Sequence, residues 1–439
     1  MADEWPTVRL GDVTDLLTGF PFKSDRYTDG DTAPRLLRGD NVAQGVLRWN
    51  GAKRWPPGAV NDIAEYWLRE GDVIVAMDRP WIDAGLKYAS VRECDLPALL
   101  VQRVARLRGK DRLDTRFLKY VIGGQAFAEH VLAVQTGTAV PHISKDQIKS
   151  FEFRLPPLPD QRAIANILGT LDDKIELNRR MNETLEAIAR ALFKSWFVDF
   201  EPVRAKSEGR DSGLPKPLAD LYPDSFEDSE LGEVPKGWGV APLPAAIDVN
   251  PTRSLRKGDV APYLDMANMP THGHAPDAVI DRPFGSGMLF ENGDTLVARI
   301  TPCLENGKTA YVDFLEEGQV GWGSTEYIVL RPRSPLPTEF AYCLARDQEF
   351  REFAIQRMTG SSGRQRVPAE SLSHYLLASP TKPVADQFGK LIKPFFSRAR
   401  AAAAESRSLT ALRDALLPKL VSGKLRVRNG VRPDQEVRS

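Results

Sequence analysis

The sequence predicts an α+β chain built as a tandem repeat, in which two mixed α/β domains are separated by two long antiparallel coiled-coil helices. Three observations lead to this fold class. Matched motifs recur about 220 residues apart in the 439-residue chain. Short β-branched runs bounded by Gly, Asp and Pro fill the first part of each repeat. Apolar residues spaced alternately by three and four then follow, which is the pattern of a coiled-coil helix.

The repeat rests on four pairs of motifs in the same order. Residues 68–76 resemble residues 290–298, and the Gly-Asp turns at Asp72 and Asp294 lie 222 positions apart. The other pairs keep almost the same offset, namely Pro80 with Pro302, Thr136-Gly137 with Thr359-Gly360, and Asp160-Gln161 with Asp386-Gln387. Four ordered matches indicate a duplicated unit of roughly 220 residues.

The first part of each unit is predicted to be a twisted sheet with one helix. Strand-like runs occur at 73–76, 101–104 and 151–154 in the first unit, and at 295–299 and 327–330 in the second. Their alternating or β-branched residues and the flanking turn residues favour strands. A helix is predicted near 116–131, with its counterpart near 338–358.

The second part of each unit is predicted to be a long helix, from about 162 to 200 and from about 384 to 421. The predicted seam of the first comprises Leu171, Ile175, Asn178, Leu185, Leu192 and Trp196. That of the second comprises Leu409, Leu412, Leu416 and Leu420. A seam asparagine such as Asn178 can fix the register of a helix pair. Pro394 and Pro418 are expected to kink or break the second helix. Two arrangements would bury these seams: the two helices pair with each other, or each helix folds back on its own domain.

These patterns divide the chain into six segments. The predicted domains are 1–154 and 240–380, the predicted helical segments are 155–200 and 381–425, the predicted linker is 201–239, and the basic tail is 426–439.

The composition limits the class of protein. The formal net charge is +0, and 42% hydrophobic with 27% charged residues is ordinary for a globular protein. Disorder throughout and a wholly basic nucleic-acid binder are thereby excluded, but local DNA contact is not. Only residues 381–439 are strongly basic, with 13 basic and 5 acidic side chains. This sector is either a solvated end or a phosphate or partner contact. No apolar run approaches a membrane span and the acidic start does not resemble a signal peptide, so a cytoplasmic protein is expected.

No set of residues typical of catalysis is recognisable. The Gly-rich phosphate loops, the nucleophile elbow and the Asp/Asn-Pro-Pro-Tyr motif of adenine methyltransferases are missing from the sequence. Three widely spaced cysteines predict no zinc site, and His272 and His274 have no nearby carboxylate or cysteine array to complete a metal site. A non-catalytic recognition protein is the simplest interpretation.

Four helix motifs carry a resemblance to a known family. They are residues 155–165 (LPPLPDQRAIA), 171–178 (LDDKIELN), 191–197 (ALFKSWF) and 416–424 (LLPKLVSGK). These resemble the two conserved regions of the specificity subunit of type I restriction–modification systems. The architecture of the whole chain fits that family, whereas the globular parts match less closely.

The resemblance implies that each globular part is a target recognition domain that reads one half of a bipartite sequence in double-stranded DNA. It implies that the helices set the gap between the half-sites and dock two methyltransferase (modification) subunits and a restriction subunit. S-adenosylmethionine, ATP and Mg would belong to those partners, while this chain would bind no cofactor and catalyse nothing. Two alternatives remain: a stand-alone or fused DNA methyltransferase or nuclease, and a coiled-coil adaptor that does not bind DNA.

The candidate DNA contacts are loop residues with arginine, lysine, amide or hydroxyl groups, since these groups read bases and phosphates. In the first domain they are Lys23, Arg26, Arg38, Asn41, Arg79, Thr138 and His142. In the second domain they are Asn268, Arg299, Asn306, Lys308, Ser324, Thr325, Arg364 and Arg366.

Overall fold

A computed structural model of the chain describes residues 5–56, 63–82, 84–137, 140–361 and 363–427. The chain folds into two compact units. Unit 1 comprises residues 1–173 and 408–439, and unit 2 comprises residues 174–407. Both long helices are divided between the units. No helix in the described ranges has the length and apolar character needed to cross a membrane.

Within its described residues, unit 1 begins with eleven strands and four short α-helices. In chain order they are β1 (Thr7–Arg9), α1 (Leu10–Val13), β2 (Thr14–Thr18), β3 (Arg35–Leu37), β4 (Gln44–Gly45), β5 (Val73–Ala76), β6 (Trp81–Ile82), β7 (Gly85–Leu86), β8 (Tyr88–Ser90), β9 (Ala98–Leu100), β10 (Val104–Gly109), α2 (Thr115–Ile122), α3 (Gln125–Val134), α4 (Lys145–Lys149) and β11 (Glu152–Arg154). The long helix α5 (Leu158–Phe197) follows.

The centre of unit 1 is a five-stranded sheet in the order β2-β10-β5-β8-β4. Strand β5 is buried along its whole length, which explains why its sequence is a continuous β-branched run rather than an alternating one. Helix α2 buries Phe117 and Leu118 in the same core as Val73 and Leu107 of the sheet. Strands β1 and β11 pair separately and join the two ends of the domain.

Unit 2 repeats this order after a short insertion. Its elements are α6 (Glu201–Ser207), α7 (Lys216–Ala219), β12 (Phe226–Ser229), β13 (Gly232–Pro235), β14 (Gly239–Pro242), β15 (Ile247–Val249), β16 (Val260–Leu264), β17 (Ile280–Pro283), β18 (Met288–Phe290), β19 (Thr295–Ala298), β20 (Thr309–Tyr311), β21 (Gly321–Gly323), β22 (Tyr327–Pro332), α8 (Glu339–Arg346), α9 (Gln348–Gln356), β23 (Leu376–Ser379) and α10 (Lys382–Val421).

Among the described residues of unit 2, the two largest sheets are four-stranded, with strand orders β15-β22-β19-β20 and β17-β16-β21-β18. The predicted duplication is confirmed by the first of these sheets. Strand β10 pairs with β5 so that Val104 lies opposite Ala76, and β22 pairs with β19 so that Tyr327 lies opposite Ala298. The outer pair β1–β11 likewise has its counterpart in β14–β23.

The two motif aspartates that revealed the repeat have the same structural role. Asp72 accepts a hydrogen bond from the backbone NH of Arg69 and pairs with Arg108, while Asp294 accepts one from the NH of Glu291. Arg253 donates to both carboxylate oxygens of Asp294 at 2.9 Å. Burial raises the pKa of Asp294, although backbone hydrogen bonding and neighbouring arginines counteract this rise. Each buried aspartate therefore fixes a turn in its unit.

Three predictions about local structure are wrong. Each predicted short helix is two helices, because Gly123-Gly124 ends α2 and Asp347 caps the start of α9. The run 101–104 is not one strand, since residues 102 and 103 form a turn before β10. The segment 201–239 is more than a linker, because it contains α6, α7 and a β12–β13 hairpin and buries Trp238 in the core of unit 2.

The long helices pack against each other within each unit, as predicted. In unit 1, Leu168 of α5 and Leu420 of α10 share one core. In unit 2, Phe197 and Phe388 meet edge to face at 4.8 Å between ring centroids. Residue numbers rise along one helix where they fall along the other, so the pair is antiparallel. Both helices also contribute residues to the cores of the domains. The helices therefore pair with each other and also pack against the domains.

The seam matches the prediction at nine of its ten positions. Trp196 and Leu420 are buried, and half-buried positions are Leu171, Ile175, Leu185, Leu192, Leu409 and Leu416. Asn178 is buried and donates to Ala402 O, Glu405 Oε2 (2.8 Å) and Ser406 Oγ. The prediction for Leu412 is wrong, because its side chain is 48% exposed. Arg413 occupies the position between Leu409 and Leu416 on that face and donates to Asp172.

Of the kink or break that the prolines of the second helix predict, the break does not occur. Helix α10 continues through Pro394 and Pro418 over 40 residues. A proline removes one backbone hydrogen bond, but Ile392 and Phe396 on either side of Pro394 are buried in the core of unit 2. This packing holds the helix together across the missing bond.

Asp172 provides a test of the helix pair in unit 1. Its carboxylate contacts Lys119 Nζ at 2.5 Å, Tyr120 Oη at 2.9 Å and Arg413 Nη1 at 3.1 Å. Burial alone would raise the pKa of Asp172, but these partners outweigh it and hold the pKa below its usual value. We expect Asp172→Asn to lower the free energy of unfolding by about 2–3 kcal/mol near pH 7. Urea denaturation measures this difference.

The effect of Asp172→Asn must depend on pH. Because the pKa is lower in the folded chain, the stabilisation is present above the ordinary aspartate pKa of about 4 and disappears as the pH falls through the folded pKa. The two proteins should therefore converge in strong acid. Asp173→Asn, at the exposed neighbouring position, is the matched control and should change little. Equal losses at both positions would show that the buried cluster does not contribute as described.

Candidate nucleic-acid interface

A cationic groove lies on the surface of unit 1. It has a volume of about 650 Å³ and is open to solvent. Four cations and two carboxylates line it, namely Arg38, Arg79, Lys87, Arg103, Asp40 and Asp78. The remaining lining includes Phe22, Tyr27 and the amide of Gln102. The groove thus carries a local positive excess in a chain whose formal net charge is zero.

Two of these arginines are held on left-handed backbone. Arg79 has φ 44° and Arg103 has φ 68°. Such angles are uncommon for residues other than glycine and require support from the surrounding structure. The NH of Arg79 donates to Pro141 O at 2.6 Å, and Met77 donates to Arg103 O at 2.9 Å. These bonds fix both turns, so the guanidinium groups start from rigid positions at the groove.

The cations of the groove differ in how available their charged groups are to an external anion. Arg103 Nε lies 3.8 Å from Asp78, and Arg38 Nε lies 3.6 Å from Asp40, both in exposed pairs. Such pairs are weak in water and can be exchanged for other anions. Lys87 is less available, because it donates to Gly39 O and burial lowers its pKa. Arg38, Arg79 and Arg103 are therefore the cations most available to an anion bound in the groove. Lys87 instead stabilises the side of the groove through its bond to Gly39.

The other candidates predicted in the first domain lie at different kinds of position. Lys23 and Arg26 are exposed beside a short turn, and the Arg26 guanidinium lies 5.1 Å from the centre of the Trp55 ring. Asn41 is buried and bonds to Arg48 O and Arg38 N, so its prediction as a DNA contact is wrong. His142 is half-buried and pairs with the backbone of Thr136. Thr138 lies outside the described residues.

Sequence reasoning missed Gln102 and Arg103. The alternation of residues 101–104 suggested a strand, whereas Val101 and Gln102 each pair with distant backbone. Val101 N donates to Leu37 O, and Gln102 N donates to Phe20 O. The two polar side chains are thereby left in a turn between β9 and β10. A polar pair interrupting two buried runs was the one signal in the sequence that could have revealed this turn.

Unit 2 has an equivalent backbone arrangement with different charges. Thr136 pairs with His142 in unit 1, and Thr359 pairs with Arg366 in unit 2. Arg366 Nε donates to both Glu326 oxygens at 2.8 and 2.9 Å, and Arg299 Nε lies 3.8 Å from the same carboxylate. One glutamate therefore holds both arginines.

Several of the remaining predicted residues in unit 2 have structural partners. Lys308 donates to Met266 O, Asn268 bonds to Asp265, and the Ser324 hydroxyl accepts from the NH of Glu326. The exposed positions are Asn306, Thr325 and Arg364. Arg364 has no ion-pair partner in the part of the chain that the structure describes. The accessible predicted contacts of unit 2 are therefore these three.

His272 is exposed on the surface of unit 2. His274 is buried, and its Nε2 lies 3.2 Å from Asp313. Within the described ranges, no group of three His, Cys, Asp or Glu side chains is arranged to hold a metal ion.

Comparison with known proteins gives consistent matches. Residues 2–187 match the model of the type I restriction modification DNA specificity domain. The chain is 33% identical over 177 residues to the EcoAI specificity subunit of Escherichia coli, covering 40% of this chain and 29% of that protein. It is 25% identical over 342 residues to the HindI specificity subunit of Haemophilus influenzae, covering 67% and 73% of the two chains. The matched part thus spans less than a third of the length of the first relative and nearly three quarters of the second.

The fold also has a solved counterpart. The crystal structure of the type I restriction–modification S subunit from M. genitalium superposes with a TM-score of 0.54 at 16% identity, covering 96% of each chain. That likeness shows a shared fold, which includes both repeats and both long helices. Together with the family match over residues 2–187 and the relatives whose match extends into the second repeat, it makes the chain similar to type I restriction–modification specificity subunits over most of its length.

Proposed function

We propose that this chain is the DNA-recognition component of a type I restriction–modification assembly and reads a bipartite target with one domain for each half-site. The observation that carries the proposal is the groove of unit 1. Arginine can bond two acceptors of guanine, and an amide such as that of Gln102 can bond two atoms of adenine. A groove with both groups can therefore recognise bases as well as phosphates.

The second half-site would be read by unit 2 with another set of groups. Its accessible candidates are Asn306, Thr325 and Arg364, while Arg299 and Arg366 both pair with Glu326. Different side chains on the same backbone arrangement are what a reader of two unlike half-sites requires. We therefore propose that the target is asymmetric, with unlike sequences in its two halves.

The long helices would act as spacer and docking surface. A helix of 40 residues is about 60 Å long, which is comparable with the separation of half-sites that are one or two DNA turns apart. On α5, Leu177 and Ile188 are 60% and 42% exposed and lie three helical turns apart. Exposed apolar side chains on one face are typical of protein contacts. We propose that they dock modification subunits, two per assembly, and that a restriction subunit joins this complex.

The chemistry would then belong to the partners. We propose that S-adenosylmethionine, ATP and Mg bind in the modification and restriction subunits, and that this chain selects the cytoplasmic DNA on which they act. This chain would determine where on the DNA the partners react, but it would supply no reacting group. The two alternatives differ from this proposal, because a fused methyltransferase would carry out the reaction itself and an adaptor would not bind DNA.

Purified chain, partner modification subunits and both together provide the test. Each is incubated with labelled S-adenosylmethionine and either host-type DNA lacking modification or fully modified DNA. We expect methyl transfer only with both components and only on unmodified DNA. Turnover by the chain alone would instead support the fused enzyme. Transfer to fully modified DNA as well in the joint sample would mean that methylation occurs outside the target sequence, and would support the adaptor.

A further inference from the structure

The exposed side of helix α10 carries a row of cations without acidic partners. Lys393, Arg400 and Arg407 follow one another at intervals of seven residues, and Lys390 lies one turn before them. Seven residues are almost two full helical turns, so each of the three is displaced by only about 20° from the one before. All four side chains are exposed. We call these four residues the basic row, and it extends over about 26 Å of helix.

The basic row differs from an ordinary solvated surface in its lack of acidic partners among the described residues. Within the described residues, none of the four cations has an ion-pair partner. The two acidic residues of this part of α10 are engaged elsewhere, since Asp386 pairs with Lys382 and Glu405 pairs with Lys174. Lys390 and Lys393 are one turn apart, with about 5–6 Å between Cβ atoms, so they repel within the screening length of about 8 Å in physiological salt. The arrangement is therefore slightly unfavourable for the isolated chain.

Helix α5 shows what a solvated face looks like in the same unit. Its exposed cations have acidic neighbours one turn away, as Arg179 and Arg180 both pair with Glu176. Such mixed charges stabilise a helix in water. Of the two long helices in unit 2, α10 is thus the one that carries a row of unpaired cations, in agreement with the basic character of residues 381–439.

We propose that the basic row binds the phosphate backbone of double-stranded DNA between the two half-sites. This inference rests on the proposed function, because it takes the bound DNA to be the target of the chain. Phosphates are the regularly spaced anions that such DNA presents whatever its sequence, and lysine and arginine neutralise them with release of counterions. The spacer helix would thus add affinity without adding sequence preference.

The test uses the full chain assembled with its modification subunits. The variant carries Lys390→Gln, Lys393→Gln, Arg400→Gln and Arg407→Gln. Affinity for a target duplex and for a duplex without the target is measured at several salt concentrations. We expect the slope of log affinity against log salt to fall by roughly 3.6, because each of the four phosphate contacts contributes about 0.9. The ratio of target to non-target affinity should stay the same.

The matched control removes four exposed cations that do have acidic partners, with Arg179→Gln, Arg180→Gln, Lys194→Gln and Lys216→Gln. It changes the net charge equally and should leave the slope almost unchanged. Equal slopes for both variants would overturn the inference. Loss of modification subunits from the variant with an unaltered slope would also overturn it and would make the row a protein contact. A wild-type assembly without target preference would instead contradict the proposed function.

Discussion

Replacing both Arg79 and Arg103 by glutamine is expected to lower the affinity of the assembled complex for its target by about 100-fold or more. The two guanidinium groups lie on the same groove and start from rigid backbone. A well-placed arginine contact to a base contributes about 1–3 kcal/mol, so two contacts of this kind account for the expected loss. Fluorescence anisotropy with a labelled target duplex measures the change.

The control for the groove variant must lose the same charge from the same unit. Arg9→Gln with Arg116→Gln meets this need, because both arginines are exposed and each lies within 4 Å of an acidic residue, as Arg103 does. This control should bind within a few-fold of wild type. A similar loss in control and groove variants would mean that bulk charge, rather than the groove, determines affinity. Unchanged melting temperatures in both would exclude unfolding as the cause.

Shortening both long helices by a matched heptad is expected to abolish binding to the natural target. The deletion removes residues 179–185 and 397–403. Asn178 beside Glu405 and Leu185 beside Phe396 show that these stretches face each other. Seven residues correspond to about 10 Å of helix, or about three base pairs. The two recognition domains could then no longer bind both half-sites at once. We therefore expect the affinity for a target with the natural gap to fall at least 100-fold.

Duplexes that contain one half-site provide the control for the shortened protein. Their affinity should stay within a few-fold of wild type, because neither recognition domain is altered and the deletion removes only Arg400 from the basic row. Targets with a gap shorter by three base pairs should regain only part of the loss. Removing three base pairs also rotates one half-site by about 100°, whereas a heptad turns the helix by only about 20°. Full binding of the shortened protein to the natural gap would contradict the role of the helices as a spacer.

The sequence predicted the repeat and the long helices well because those features are periodic. Matched turns such as those at Asp72 and Asp294 perform the same structural task twice, so the same residues recur. A seam of alternating three and four spacings identifies the buried side of a helix without knowledge of its partner. The error at Leu412 shows the limit of this approach, because Arg413 takes the seam position through a charged contact with Asp172.

The candidate site was predicted less completely because its residues depend on distant partners. Glu326 engages Arg299 and Arg366 from 27 and 40 positions away, and no local pattern predicts this pairing. Asn41 looked like a loop amide but closes a buried turn. Arg103 looked like part of a strand and became accessible only because β9 pairs with β3 and ends before it. Local sequence gives residue type, whereas accessibility is decided by tertiary pairing.

The measurement that tests the central claim most directly is a genome-wide map of methylated positions in cells that express this chain with its partner subunits. Wild type and a single variant, Arg103→Gln, are compared. The account predicts a target of two short sequences separated by a fixed gap, and a variant in which only one of the two sequences is relaxed. A continuous target, or a variant in which both halves change together, would contradict the claim that each domain reads its own half-site.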